Sequence, residues 1–224
     1  MSCVEKNRNS IWTYAALLVL VGLFLVGGGC MANAPVVEDS VTTWSEGVQV
    51  TWSFQEGRFW DSIERAQETE VANEPAHGLV VPHHELASDV IARAFKTVED
   101  QQVQRVIVIG PNHEERGTAK VISGIVDWTV NGQRVETDRN AVGQLQRANV
   151  VTLDESVLVQ EHAIGTLTPY IAHTWSDAQV VPLVVSARLD LEGALALGQE
   201  LSGLLEEDML LIASIDFSHY LPLE

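Results

Sequence analysis

Three stretches of the chain, Leu79–Pro82, Val106–Ile109 and Met209–Ser214, are short apolar runs with no polar alternation. Runs of that length and character predict strands buried on both faces of a parallel sheet. Val180–Val185 reads the same way. Between the strands the spacing turns helical. Leu86, Val90, Ile91, Ala94, Phe95 and Val98 fall on one face of a helix predicted over 85–98, and Asp138 is placed to cap a helix over 139–148. A further helix over 161–175 is interrupted by Pro169, and one over 191–205 leads into the last strand. Strand, helix and strand in this order demand parallel pairing through right-handed crossovers. Val126–Val130 and Gln133–Thr137 flank Asn131-Gly132, the pairing expected of a type I′ hairpin and hence of an antiparallel excursion from the sheet. Residues 41–54 alternate near their end, as an edge strand does, and Trp44, Trp52 and Trp60 read as packing residues. Residues 59–71 have helical spacing and no readable function. The predicted fold class is α/β, a mostly parallel central sheet flanked by helices with an antiparallel hairpin, in one domain over 41–224.

Upstream the pattern changes character. Lys6 and Arg8 precede an uncharged run from Ile11 to Gly29, and Gly27, Gly28 and Gly29 lead into Cys30. This is the layout of a secretory signal, here over 1–30, and a cysteine after small residues resembles the lipidation site of bacterial lipoproteins. An uncleaved single anchor is the other reading, since the run is about long enough to span a bilayer core. Positive charge before the run, with Glu38 and Asp39 after it, predicts an extracytoplasmic domain tethered by a linker over 31–40.

Charge narrows the partners. With 31 acidic against 13 basic side chains the net charge is −18, which opposes a nucleic-acid partner. Both cysteines, Cys3 and Cys30, lie in the N-terminal segment, so no disulfide framework staples the domain.

Chemistry-bearing residues collect where the apolar runs stop. His83 and His84 follow the first strand, His113 follows Ile109-Gly110-Pro111-Asn112, and Asp216 and His219 follow the last strand; Glu161-His162 opens a helix. In open α/β sheets ligands bind beyond the carboxyl ends of the strands, so these groups are expected to converge on one crevice. Neutral imidazole and ionised carboxylate are ligands for iron, copper or zinc. For any single histidine an ordinary loop position remains the other reading. Gly110-Pro111-Asn112-His113 is also open to being a turn, a reading compatible with a functional His113, and Glu161 to favouring a helix N-terminus by its charge instead of acting as an acid/base partner of His162. A serine hydrolase is disfavoured, because no Gly-x-Ser-x-Gly elbow is present.

Val81-Pro82-His83, Ile109-Gly110-Pro111-Asn112-His113, Glu161-His162-Ala163-Ile164 and Ser214-Ile215-Asp216-Phe217-Ser218-His219-Tyr220, in that order, resemble the Memo-like family, also called the AmmeMemoRadiSam system protein B family. The resemblance implies a fold similar to class III extradiol dioxygenases, His83 and His113 as metal ligands, and Asp216, His219, Glu161 and His162 as catalytic or lining groups. It implies bound iron or copper with redox chemistry involving oxygen, and functional association with AMMECR-like and radical-SAM proteins. The chain departs from the family pattern in two places: His84-Glu85-Leu86 follows the first histidine, so that His84 or Glu85 is a candidate extra ligand, and Gly165 stands where a carboxylate is usual. The family also supplies a cysteine ligand from a region beyond the last motif, whereas the sequence here ends at Glu224, so a missing C-terminal part is expected, with a degenerate member whose metal site is incomplete as the alternative.

The expectation is therefore a membrane-anchored, extracytoplasmic metal-binding protein with dioxygenase-like or other redox chemistry on an unknown small-molecule or peptide substrate. A non-enzymatic peptide- or protein-binding module on the same fold is the first alternative. A zinc hydrolase using Glu161 as base is the second.

Overall fold

The computed structural model describes residues 47–71 and 75–216. The N-terminal run, Cys30 and His219 lie outside the described residues, and so do the readings that fall on them. Among the described residues no helix is long and apolar enough to cross a membrane.

The strands are β1 (Val48–Thr51), β2 (Gly78–Val81), β3 (Arg105–Pro111), β4 (Val121–Ser123), β5 (Val126–Val130), β6 (Gln133–Val135), β7 (Thr152–Leu153), β8 (Gln179–Val185) and β9 (Met209–Ser214). The helices are α1 (Glu56–Ala66), α2 (Ser88–Lys96), α3 (Arg139–Arg147), α4 (Glu155–Leu158), α5 (His162–Gly165), α6 (Thr168–Thr174) and α7 (Leu191–Ser202). Six strands form the main sheet in the order β2-β9-β3-β8-β4-β7. Its pairings are parallel except that between β4 and β8. This is the mostly parallel α/β fold expected from the apolar runs.

Strand alternation sorts the core into two layers. Val106 and Val108 face α2 and α6, whose Ile91, Phe95, Tyr170 and Ile171 share their cluster. Ile107 and Ile109 point the other way, into a cluster with Val142 and Leu145 of α3 and Leu197 and Leu201 of α7. Covering both faces is what lets β3, β8 and β9 be apolar at nearly every position.

Three expectations are corrected in detail. The hairpin forms, with Asn131 and Gly132 at φ 48° and 76°, but it belongs to a separate three-stranded sheet in which β1 pairs in parallel with β5. The helix predicted over 85–98 begins as a 3₁₀ turn at Glu85–Ala87, which rotates Leu86 and Val90 to the surface at 72% and 57% exposure and leaves Ile91, Ala92 and Phe95 inside. The helix predicted over 161–175 is two short helices, α5 and α6, with Pro169 in the first turn of the second, where its missing N–H costs nothing. The Asp138 cap is present, its Oδ1 accepting from Ala141 N at 2.9 Å.

Candidate metal centre

The carboxyl edge of the main sheet carries the site. β2 and β9 run in parallel register with Val81 beside Ser214, so the residues just past both ends, His83 and Asp216, emerge together. β3 lies on the other side of β9 and extends through Gly110 and Pro111, still paired with Val184 and Val185 of β8. Those two residues are therefore strand and not turn. The turn comes afterwards, where the buried Asn112 carboxamide donates to Arg116 O at 2.7 Å and accepts from Arg116 N at 3.0 Å. Asn112 thereby sets the path of the chain on either side of His113.

α5 supplies the third imidazole from above the edge. It approaches closely because Gly110 has no side chain: a Cβ there would lie 2.7 Å from the Ala163 Cβ. On its other side α5 meets Trp52, whose indole fills the space over Gly165.

Three imidazoles meet. His83, His113 and His162 each offer a ring nitrogen, and these atoms all lie within 4.8 Å of one another. The Nε2 atoms of His83 and His113 are 3.1 Å apart, and the rings of His113 and His162 stack at 4.0 Å. For metal–nitrogen bonds of about 2.0–2.1 Å, a 3.1 Å separation subtends roughly 100° at a shared ion, within ordinary coordination geometry. All three nitrogens share one ion only when every pair lies within about 4.1 Å, twice the metal–nitrogen bond, and His162, 46% exposed, has room to move toward the other two. The donor set therefore fits a divalent transition ion.

Glu161, 5% exposed, underpins this cluster. Its Oε1 accepts from His113 Nδ1 at 2.7 Å and from Ala163 N at 3.0 Å, and its Oε2 accepts from His113 N at 3.1 Å. Burial pushes this carboxyl up, but the His113 hydrogen bond and the backbone donors pull harder, so its pKa falls below the usual value and the group stays ionised. The same side chain caps α5, the helix N-terminal role that its sequence position offered, and also orients the His113 imidazole. His162 has its pKa lowered, first by burial and then by the neighbouring His113, which favours the neutral, metal-competent ring.

The other expected residues are placed as follows. Asp216 Oδ2 is 3.4 Å from His83 Nε2 and is 11% exposed, at the edge of the imidazole cluster. His84 does not join the cluster: its Nδ1 accepts from Leu86 N at 3.2 Å and caps the 3₁₀ turn. Glu85 is also turned away, accepting from Gln55 N at 3.1 Å. Ser214, which the sequence motif contains but does not mark as a site residue, belongs to the site. It is fully buried and its Oγ lies 3.1 Å from His83 Nδ1. The available signal was a hydroxyl closing an otherwise apolar strand, Met209-Leu210-Leu211-Ile212-Ala213-Ser214.

A family model described as Memo-like protein matches residues 58–223. The chain belongs to the Memo-like family. It is 30% identical over 161 residues to a MEMO1 family protein of Methanococcoides burtonii, covering 69% of this chain and 59% of that one. To a MEMO1 family protein of Methanopyrus kandleri it is 28% identical over 152 residues, 65% of this chain and 54% of the relative. To one of Thermococcus onnurineus it is 28% identical over 154 residues, with 64% and 53% covered. The chain thus spans a little over half the length of these relatives, and the family match over residues 58–223 contains all three imidazoles.

Proposed function

We propose that this Memo-like protein binds one redox-active transition ion, iron or copper with zinc as the competing occupant, through His83, His113 and His162, and uses it in oxygen-linked chemistry on a small-molecule or peptide substrate. The observation that carries this reading is the grouping of three imidazole nitrogens from three separate segments within 4.8 Å. A redox-active ion would supply electron exchange with oxygen at that point. The chain's residues do the rest. Glu161 holds the proton on His113 Nδ1 and so keeps Nε2 available as a ligand. Asp216, beside His83, is placed to take or return a proton at its Oδ2. His162, half exposed, forms the solvent side of the cluster and stands where a substrate would approach.

The protein sits at the cell envelope in this reading. Lys6 and Arg8, the uncharged run over 11–29 and Cys30 support export and lipid anchoring, which leaves the metal domain extracytoplasmic. Two experiments test the reading. Protein purified without oxygen and loaded with Fe(II), Cu(II) or Zn(II) is expected to hold one ion per chain, and the iron- or copper-loaded protein to consume oxygen when ascorbate is supplied as electron donor; no uptake of any of the three ions refutes the metal role. Fractionation of cells expressing wild type and Cys30→Ala is expected to move the protein off the membrane in the variant, and unchanged partitioning refutes lipidation at Cys30.

A further inference from the structure

We infer that Ser214 is a positioning residue that selects which ring nitrogen of His83 faces the imidazole cluster. The Ser214 hydroxyl has one hydrogen, and it is given to the Ala163 carbonyl oxygen 2.6 Å away. Ser214 Oγ therefore meets His83 Nδ1, at 3.1 Å, only as an acceptor. His83 Nδ1 must carry the ring hydrogen, and in a neutral imidazole that leaves the lone pair on Nε2.

Glu161 imposes the same tautomer on His113 from the opposite side, because a carboxylate accepts from Nδ1. Two Nε2 lone pairs therefore face each other across 3.1 Å with no hydrogen between them, and Asp216 Oδ2, 3.4 Å from His83 Nε2, adds another acceptor. Acceptors converging in this way need a donor or a cation between them, and a metal ion supplies it. Ser214 keeps them acceptors. Without its oxygen, His83 is free to place its hydrogen on Nε2, donate to His113 or Asp216, and satisfy the cluster internally at the expense of a metal ion.

The same hydroxyl reaches a second ligand. Ala163 directly follows His162, so the bond from Ser214 to Ala163 O ties α5 to the end of β9. One buried side chain thus sets the tautomer of His83 and the seat of the segment bearing His162. The tautomer assignment stands on hydrogen bonds alone, whereas its effect on affinity rests on the metal reading proposed above.

The test uses the full chain, labelled with ¹⁵N-histidine and free of metal, near neutral pH. Long-range ¹H–¹⁵N spectra are expected to show His83 protonated at Nδ1 and bare at Nε2 in wild type, and to show the Nε2–H form appearing in Ser214→Ala. Zn(II) affinity, read by competition with a chromophoric chelator, is expected to fall about 10–100-fold in Ser214→Ala and to recover in Ser214→Thr, which keeps the hydroxyl. An Nε2–H tautomer for His83 in wild type overturns the inference, and that spectrum decides even if a variant fails to fold. A folded Ser214→Ala that keeps both tautomer and affinity overturns it equally. Wild type that binds no Zn(II) yet shows His83 protonated at Nδ1 removes the metal reading and leaves the positioning role supported.

Discussion

Replacing Glu161 with glutamine is nearly isosteric and probes what the carboxylate does. Three N–H donors converge on it: His113 Nδ1 at 2.7 Å, Ala163 N at 3.0 Å and His113 N at 3.1 Å. An amide offers one acceptor oxygen and turns an NH₂ group toward a donor that had faced oxygen. If the amide oxygen takes the Oε1 place, His113 N loses its acceptor; if it takes the Oε2 place, His113 Nδ1 and Ala163 N lose theirs. A hydrogen bond to a charged group is worth about 1.5–3 kcal/mol, and a buried donor left unpaired costs about 1–3 kcal/mol. Part of this loss is relieved by local movement, so Glu161→Gln is expected to destabilise the fold by about 2–4 kcal/mol at neutral pH. In urea unfolding that lowers the midpoint by roughly 1–2 M. The pH dependence follows from sign. The folded-state pKa of Glu161 is lowered, so its contribution is present above the unfolded carboxylate value and is lost as pH falls through the lower, folded one. The gap between wild type and Glu161→Gln is therefore expected to close in acid, in a range where both proteins still fold. Equal midpoints at neutral pH, or a gap independent of pH, would refute the reasoning.

Other outcomes follow from the same geometry. Alanine at His83 or His113 is expected to abolish stoichiometric zinc uptake, while His162→Ala, which removes the most exposed ligand, weakens it and leaves measurable binding in a competition titration. Gly110→Ala forces a Cβ to within 2.7 Å of the Ala163 Cβ and is expected to cost about 1–3 kcal/mol in chemical denaturation, with weaker metal binding as α5 is pushed off β3. Because burial and His113 lower the pKa of His162, its ring stays neutral below the ordinary imidazole value of about 6.5. His162 titration followed by NMR in metal-free protein is thus expected to have its midpoint below that of an exposed histidine, and a midpoint above it contradicts the packing described.

The parts of this fold that were legible in the sequence are those where one physical demand dominates. β3, β8 and β9 are buried on both faces and read as unbroken apolar runs, and Asp138 and Asn131-Gly132 are local signals with local causes. Leu86 and Val90 misled because helical periodicity alone does not reveal a 3₁₀ start, and a few residues of tighter winding rotate the face. The two-residue β7 and three-residue β4 left no pattern to read, since their pairing is fixed by neighbours distant in the sequence. In the site, His83 and His113 were visible as strand-end imidazoles. Glu161 before it marks His162 in the sequence as an acid/base candidate, and only the closeness of α5 to β3 at Gly110 brings its ring onto the other two. Ser214 was invisible for a related reason: its partners, His83 and Ala163, are 131 and 51 residues away.

The central claim is that imidazoles from three separate segments share one ion. X-ray absorption at the metal edge of the loaded full chain tests it most directly, with His83→Ala, His113→Ala and His162→Ala measured alongside. The account predicts one ion per chain with imidazole scattering in wild type and one fewer imidazole in any variant that still holds the metal. A bound ion whose coordination shell is the same in all four proteins would contradict it.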